Sequence, residues 1–198
     1  MNSDQSTPRH PGRRMFLGGA LAFAAAAAAC TPQQGGLTSY AGLDPRFARR
    51  QVDYAGKEKP GTIVVDTSER YLYFVEPGGK ATRYGIGVGR EGAAWAGTAY
   101  VGRKEEWPRW TPTANMIARD SRLLQYAGGV EGGEHNPLGA RALYLYRGGR
   151  DTMYRLHGTN APWSIGQASS SGCIRLLNED VMHLYERVPM GSRVIVRR

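Results

Sequence analysis

The most informative part of this 198-residue sequence is His157-Gly158-Thr159-Asn160-Ala161-Pro162-Trp163-Ser164-Ile165-Gly166, which Ser169-Ser170-Ser171-Gly172-Cys173-Ile174-Arg175-Leu176 soon follows. It sets a histidine at the end of a strand-like run and, further on, a cysteine between small residues. Gly172 allows the backbone to approach a ligand closely, and successive amide N–H groups around a cysteine can form an oxyanion hole. A thiol needs a neighbouring base or cation to become a thiolate at neutral pH, and histidine is the usual one. The pattern therefore indicates cysteine–histidine acyl transfer.

The residue types alone leave two plainer interpretations open. A lone cysteine is more often a small buried hydrophobic residue than a nucleophile, and a lone histidine is often a polar residue with an ordinary hydrogen-bond partner. A zinc site would need three or four ligands, but the spacings of His135, His157 and His183 relative to Cys173 match no familiar zinc pattern. We therefore expect no metal and no cofactor.

Composition indicates a β-rich globular protein that carries excess positive charge. The chain has 27 glycines and 11 tyrosines among many short apolar runs, and its formal net charge is +9. This charge suits an anionic partner such as a cell wall, although a solvated basic surface with no specific partner is equally compatible with it. The arginines are scattered and no nucleic-acid-binding motif is present, so we expect no nucleic-acid partner.

Short β-branched and aromatic runs, separated by turn residues, continue along the chain from Thr62. Residues 62–66 and 71–76 are predicted to form a hairpin, and the turn at 76–80 is predicted to lead into a strand over 81–88. Further strands are predicted at residues 99–104, 142–146, 153–157 and 193–197. The pattern is typical of a β-rich domain with many turns.

Two helices are predicted. Pro112 is suited to the first turn of a helix that runs to about residue 117 or 119. Asn178 is suited to N-cap a second helix, with Glu179 and Asp180 in its first turn. The second helix has one apolar stripe at i, i+3, i+4 and i+7, formed by Val181, Leu184, Tyr185 and Val188. His183 lies off that stripe and is expected on the surface.

Residues 1–30 are predicted to be an export signal. Arg13-Arg14 leads into an apolar stretch that stops at Cys30, and this stretch is too short for a permanent transmembrane helix. The arginine pair resembles a twin-arginine signal. Ala27-Ala28-Ala29-Cys30 resembles a lipobox, in which Cys30 would be lipidated, although the usual leucine is missing; ordinary signal-peptidase cleavage nearby is the alternative.

Residues 31–60 are predicted to be a tether whose later part packs against the folded domain, which spans residues 61–198. Without residues 1–30 the chain keeps 23 basic and 16 acidic residues, a net charge of +7. Cys173 is then the remaining cysteine of the mature soluble part, so no intramolecular disulfide is expected there.

The His157-Gly158-Thr159 element together with Ser170-Ser171-Gly172-Cys173-Ile174-Arg175 closely resembles the signature of the L,D-transpeptidase catalytic (YkuD) domain family. The resemblance covers about residues 60–198. Many members have histidine where this chain has Ser171, a difference that removes one polar contact near the cysteine. Three further elements resemble the family: Pro162-x-Ser164-Ile165-Gly166, Asn136-Pro137-Leu138-Gly139 and Gly85-x-Gly87-x-Gly89.

The resemblance implies a mainly β fold (a β-rich α+β fold), an antiparallel β-sandwich or barrel with one or two short helices. It also implies the roles of the site residues. Cys173 is the nucleophile, His157 is its general base, and the backbone carbonyl of Gly158 orients His157. The backbone N–H groups of Ser171, Gly172 and Cys173 form the oxyanion hole.

Substrate contacts are expected from Arg175, Trp163 and Ser170, with Trp110 as a second candidate aromatic. A structural salt bridge is the alternative for Arg175, and a core position is the alternative for the aromatic residues. His135 is expected to be an exposed loop residue without a role.

The implied activity is L,D-transpeptidation of peptidoglycan tetrapeptide stems through a Cys173 thioester. A second stem would give 3–3 cross-links, whereas a protein amine would link a protein, such as an outer-membrane protein, to the wall. The rivals are an L,D-carboxypeptidase or endopeptidase, in which water releases the acyl group, and a non-catalytic wall-binding module. The implied location is the periplasm, with or without a lipid anchor at Cys30.

Overall fold

The structure is a computed structural model that describes residues 41–90, 95–170 and 172–198. Eleven strands lie in this part of the chain: β1 (Arg50–Asp53), β2 (Ile63–Asp66), β3 (Tyr71–Glu76), β4 (Lys80–Gly85), β5 (Val88–Gly89), β6 (Gly97–Glu106), β7 (Arg141–Arg147), β8 (Arg150–His157), β9 (Ala168–Ser170), β10 (Ile174–Arg175) and β11 (Arg193–Arg197). The α-helices are α1 (Ala114–Arg119) and α2 (Asn178–Arg187), and three 3-10 turns cover Pro45–Phe47, Ser121–Tyr126 and Pro162–Ser164. Neither described α-helix has the length and apolar character needed to span a bilayer. The predicted export signal and Cys30 lie outside the described residues.

Nine strands form one sheet in the order β1-β4-β3-β2-β11-β6-β7-β8-β10, and β5 pairs with β9 in a small second sheet. Most neighbours in the large sheet are antiparallel, including the predicted hairpin of β2 and β3, whereas β11 runs parallel to β2 and β10 runs parallel to β8. The mainly β prediction is confirmed. The barrel alternative is wrong, because the sheet stays open with β1 and β10 at its edges.

The apolar residues that alternate along these strands form one main core with α2. Val181, Leu184 and Val188 of the predicted helical stripe are buried against the sheet, and Tyr185 packs at its margin. Burying side chains of this size stabilises the fold by about 1.5–3 kcal/mol each. This packing fixes α2 against β7 and β8, the strands that lead to the cysteine–histidine site.

The strand predicted at residues 81–88 is interrupted. β4 ends at Gly85, and Gly87 forms an isolated bridge with Arg175 before β5 begins at Val88. A Cβ at Gly87 would overlap the Ser164 carbonyl, so glycine is required where these backbones meet. Although its residues favour extended backbone, the segment changes sheets here, with Gly87 bridged to Arg175.

The sheet takes in part of segment 31–60, for which a packed later part was expected. β1 pairs with β4 along the edge of the large sheet. Immediately before β1, Arg49 reaches across to α2, where its Nη1 lies 3.1 Å from the buried Asp180 carboxylate. This ion pair ties the N-terminal edge of the sheet to the helix.

Three local predictions for the helices are wrong. Asn178 is the first residue of α2 and not its N-cap, which is Leu177 and provides no side-chain hydrogen bond. Pro112 lies before α1 and not within its first turn, since Thr113 is the N-cap and its hydroxyl accepts a hydrogen bond from Met116 N–H. His183, expected on the surface, is half-buried, and its Nδ1 lies 2.8 Å from the Tyr84 hydroxyl.

The side chain of Lys104, on β6, caps the C-terminal end of α2. Its ammonium group donates to the carbonyls of Tyr185 at 2.5 Å and Val188 at 2.8 Å. The same Nζ lies 4.1 Å from the centre of the Tyr185 ring. A cation at this position satisfies helix carbonyls that lack partners within the helix and opposes the negative end of the helix dipole.

We expect Lys104→Met to lower the free energy of unfolding by about 2 kcal/mol, because it leaves two half-buried carbonyls without a donor. Urea denaturation followed by circular dichroism measures the change. Lys59→Met, at an exposed lysine, is the matched control and should stay within about 0.5 kcal/mol of the parent protein. Equal losses in both variants would contradict this account of Lys104.

Candidate active site

His157 lies at the end of β8, held between two neighbouring strands. Its backbone pairs with Ala142 of β7, and its carbonyl accepts a hydrogen bond from Leu176 N–H at 2.8 Å. The side chain is buried, and its Nδ1 lies 2.6 Å from the Gly158 carbonyl oxygen. Because a carbonyl can only accept, Nδ1 must carry the proton in this contact. A neutral His157 imidazole therefore presents Nε2 as a lone-pair acceptor.

Cys173 lies immediately before β10, and its half-exposed thiol faces β8. The Sγ donates to the Met153 carbonyl at 3.8 Å. Met153 has a φ of +65°, in the left-handed region, where the β7–β8 pairing is irregular. A β-bulge of this kind redirects the backbone, and here it brings a carbonyl to the thiol.

A tight loop precedes Cys173 and is closed by Ser170. The buried Ser170 hydroxyl donates to the Cys173 carbonyl at 2.6 Å and accepts from Gly172 N–H at 3.2 Å. Gly172 has a φ of +133°, a conformation that favours glycine. Of the three amides predicted to form an oxyanion hole, that of Ser171 lies outside the described residues. The Gly172 N–H already donates to the Ser170 hydroxyl within the loop, so the Cys173 N–H is the predicted donor that remains among the described residues.

Burial keeps both side chains of the pair electrically neutral. Desolvation and the nearby Arg175 cation lower the pKa of His157 to about 4, although hydrogen bonding to the Gly158 and Leu138 carbonyls opposes the shift. Desolvation raises the pKa of the Cys173 thiol, while the Arg155 amide and the Arg155 and Arg175 cations work in the opposite direction. At neutral pH the resting site therefore holds a thiol and a neutral imidazole.

Cys173 opens into two adjacent cavities. The first, which we call the His157 cavity, has a volume of about 990 Å³ and is lined by His157, Cys173 and Arg175 among others. The second, the Tyr144 cavity, has a volume of about 840 Å³ and includes Tyr144, Met153 and Cys173. Both volumes suit a peptide segment. Cys173 thus borders both cavities, and His157 lines one of them.

The two cavities differ in how their cations are compensated. In the His157 cavity, Arg90, Arg119 and Arg175 form no ion pair with a carboxylate of the described residues. Three of the four arginines that line the Tyr144 cavity are each paired: Arg103 with Glu105 at 2.9 Å, Arg109 with Glu131, and Arg155 with Asp151 at 2.8 Å. Arg119 lines both cavities, so Arg90 and Arg175 are the unpaired arginines that line the His157 cavity alone.

The structure separates the predicted substrate contacts. Arg175 and Trp110 line the His157 cavity, whereas Trp163 is 62% exposed and lines neither cavity. Ser170 borders the His157 cavity, but its hydroxyl is engaged within the cysteine loop. His135 is exposed, as expected. Among the described residues, no group of three or more His, Cys, Asp or Glu side chains is placed to hold a metal ion.

Three cavity or loop residues were not identified from the sequence. Arg90 and Arg119 are far from the motif along the chain, so only the fold brings them beside Arg175. The Asn178 side chain does not cap α2. Its Oδ1 instead accepts hydrogen bonds from Ala140 N–H and Thr159 N–H, beside His157. An asparagine five positions after the cysteine gives no local signal for such a distant contact.

Comparison with known proteins gives a consistent family. The sequence profile of the L,D-transpeptidase catalytic domain (YkuD) matches residues 60–196. The chain is 39% identical over 141 residues to the probable L,D-transpeptidase ErfK/SrfK of Escherichia coli, covering 67% of this chain and 42% of that protein. It is 33% identical over 193 residues to a putative L,D-transpeptidase of Fuscovulum blasticum, covering 93% and 96%. The chain spans about two fifths of the length of the E. coli relatives that it matches.

The fold is also similar to solved structures. A Brucella melitensis protein described as a probable carnitine operon oxidoreductase shares 49% identity with a TM-score of 0.54, over 78% of this chain and 96% of that one. An Enterococcus faecium L,D-transpeptidase mutant shares the fold at 19% identity, with a TM-score of 0.50 over 70% of this chain and 50% of that one. On the profile match and the sequence identities, this chain belongs to the L,D-transpeptidase catalytic (YkuD) domain family.

Proposed function

We propose that this protein is an L,D-transpeptidase that acts on the tetrapeptide stems of peptidoglycan through a Cys173 thioester. The observation that carries the proposal is the position of Cys173 where two cavities meet, one of which also contains His157. A group-transfer enzyme needs access for an acyl donor and an acyl acceptor at one nucleophile. Membership of the family supports the same reaction.

The donor stem binds in the His157 cavity, because the unmatched cations there suit its carboxylates. Arg175 is the best-placed contact, since it is half-buried beside Cys173 and its guanidinium can bind a carboxylate through two hydrogen bonds. Arg90 and Arg119 add positive charge to the same wall. The Tyr144 cavity, with its paired arginines, receives the acceptor amine.

The acylation step uses the hydrogen bond between His157 and Gly158. Nε2 takes the thiol proton as Cys173 Sγ attacks the carbonyl between the third residue, an L-centre, and the terminal D-residue. The Cys173 N–H stabilises the tetrahedral oxyanion, a contribution of roughly 3 kcal/mol for each donor of this kind. As the intermediate collapses, His157 returns the proton to the leaving D-amino acid and a thioester remains.

An amine completes the reaction. It attacks the thioester from the Tyr144 cavity, His157 accepts the proton released from the amine, and Cys173 leaves as the thiol once that proton is transferred. A second stem as acceptor gives a 3–3 cross-link, and a protein amine gives a protein joined to the wall. Water as acceptor would make the protein an L,D-carboxypeptidase, which is the alternative reaction of the same site.

The proposed location is outside the cytoplasm, in the periplasm, on the evidence of the signal-like residues 1–30. Cys30 is either lipidated, which would anchor the protein to a membrane, or removed with the signal. Fatty-acid labelling of the exported protein, compared with that of Cys30→Ser, distinguishes the two fates.

Incubation of the purified protein with a disaccharide tetrapeptide should yield 3–3 linked dimers, detected by mass spectrometry. We expect Cys173→Ala to form none, because the thioester cannot form, while the control Cys30→Ser keeps full activity. Tripeptide alone would replace the transpeptidase proposal with the carboxypeptidase. Dimer formation by Cys173→Ala would exclude the cysteine mechanism, and the absence of any product from the folded parent protein would support a wall-binding module.

The low pKa of His157 predicts an unusually acid-resistant acylation step. A base whose pKa is lowered stays unprotonated as the pH falls, so acylation by a carbapenem should decline only as the pH approaches about 4. In His157→Gln the rate should fall by about 10²–10⁴-fold and rise tenfold per pH unit, in proportion to the thiolate.

Stopped-flow fluorescence at a series of pH values measures both profiles, and mass spectrometry confirms the adduct on Cys173. His135→Gln replaces an exposed histidine and should reproduce the parent profile. The role of His157 as base is untenable should His157→Gln keep the parent rate and pH dependence.

The proposed carboxylate contact predicts a change in substrate binding. Replacing Arg175 removes a cation that meets the donor stem, so Arg175→Gln should raise KM for a tetrapeptide substrate at least tenfold. Arg122→Gln is the control, since Arg122 lines the same cavity but is already paired with Asp120. Steady-state kinetics measure both variants, and an unchanged KM in Arg175→Gln would assign Arg175 a structural role.

A further inference from the structure

We propose that Asn178 is a positioning residue of the active site, which holds the Gly158 carbonyl against the His157 imidazole. The effect of Asn178 on catalysis rests on the proposed function, whereas its hydrogen bonds are features of the fold and do not. Asn178 Oδ1 accepts two backbone hydrogen bonds, from Thr159 N–H at 3.1 Å and from Ala140 N–H at 3.0 Å. Both partners are donors, so the amide oxygen must face them.

The two backbone segments held by Asn178 are those that surround the histidine ring. Thr159 follows Gly158, whose carbonyl bonds to His157 Nδ1 at 2.6 Å. Ala140 lies two residues after Leu138, which lines the His157 cavity together with the imidazole. One side-chain oxygen therefore binds both the loop that provides the carbonyl contact to the ring and the loop beside it.

The glycines beside Asn178 show how closely the loops approach it. A Cβ at Gly158 or at Gly139 would overlap Asn178 Oδ1. Gly139 also has a φ of +64°, which disfavours other residues. Glycine at both positions therefore lets the two loops come close enough to Asn178 to form these hydrogen bonds.

Asn178 is itself well anchored. It is the first residue of α2, and Asp180 two positions later is buried and paired with Arg49. Leu176, just before the helix, donates to the His157 carbonyl. The helix start therefore fixes the backbone of His157 through Leu176 and the contact of its ring through Asn178. Without this oxygen, we expect Gly158 to move and the imidazole to lose its fixed tautomer.

The test uses Asn178→Leu, which keeps the size of the side chain and removes the acceptor, and Asn178→Asp, which keeps an acceptor oxygen. Nitrogen-15 NMR of histidine-labelled full-length protein reports which imidazole nitrogen carries the proton, with His157→Gln assigning the signals. We expect Nδ1–H in the parent protein and in Asn178→Asp, and a mixture of tautomers in Asn178→Leu.

Kinetics should follow the NMR signals. Because Asn178 acts through Gly158 and does not line either cavity, Asn178→Leu should lower kcat at least tenfold with KM within twofold, and Asn178→Asp should restore kcat. Thr82→Val is the matched control. It removes a half-buried hydrogen bond of 2.8 Å to Glu76 and should affect stability only.

An Asn178→Leu variant that folds with the proton still on Nδ1 and with the parent kcat would overturn the inference. An Asn178→Asp variant that does not restore the Nδ1–H tautomer and kcat would also overturn it. Should Asn178→Leu not fold, Asn178→Ala provides the same test. The tautomer can be measured without substrate, so the two proposals can fail separately. A shifted tautomer in Asn178→Leu, together with a parent protein that forms no cross-links, would refute the proposed function and leave the positioning role intact. A parent protein that forms cross-links, together with an unshifted tautomer in Asn178→Leu, would refute the positioning role and leave the proposed function intact.

Discussion

His157 is buried at the end of a strand, where an imidazole would lose orientation as well as water without a fixed partner. The Gly158 carbonyl provides that partner at 2.6 Å and determines which nitrogen is free to act. A carboxylate in the same position would raise the pKa of the imidazole and favour its charged form. The neutral Gly158 carbonyl fixes the tautomer, while burial keeps the imidazole unprotonated. The rest of the site therefore has to hold the Gly158 peptide group in place.

The edge of the sheet at β8 and β10 holds the residues around His157 in place. β10 pairs in parallel with β8, which sets Arg175 beside His157 and brings the cysteine loop next to the histidine strand. On the opposite side, the irregular β7–β8 pairing turns the Met153 carbonyl toward the Cys173 thiol. The Cys173 thiol is therefore oriented by a backbone carbonyl of β8, whereas the His157 imidazole is oriented by the Gly158 carbonyl just beyond the end of that strand.

The sequence was sufficient for the parts of the fold that depend on local pattern. Alternating apolar runs predicted the hairpin of β2 and β3 and the last strand β11, and the helical stripe of α2 was read from its period. The short strands β1, β9 and β10 were not predicted, because two to four residues carry too little pattern. Asn178 was assigned to a helix cap from its local preference, since its actual partners, Ala140 and Thr159, are distant in sequence.

The predicted site shows the same division between what a motif specifies and what the fold adds. His157 and Cys173 were predicted from residue type and order, and Gly158 was predicted from the family resemblance. Trp163, in contrast, lies within the motif but outside both cavities, whereas Arg90 and Arg119 lie outside the motif but line the wall with Arg175. In the proposed reaction, the unpaired cations beside a neutral thiol and imidazole attract an anionic peptide and also favour the thiolate formed during attack. In that proposal, the charge of this wall connects substrate binding with activation of Cys173.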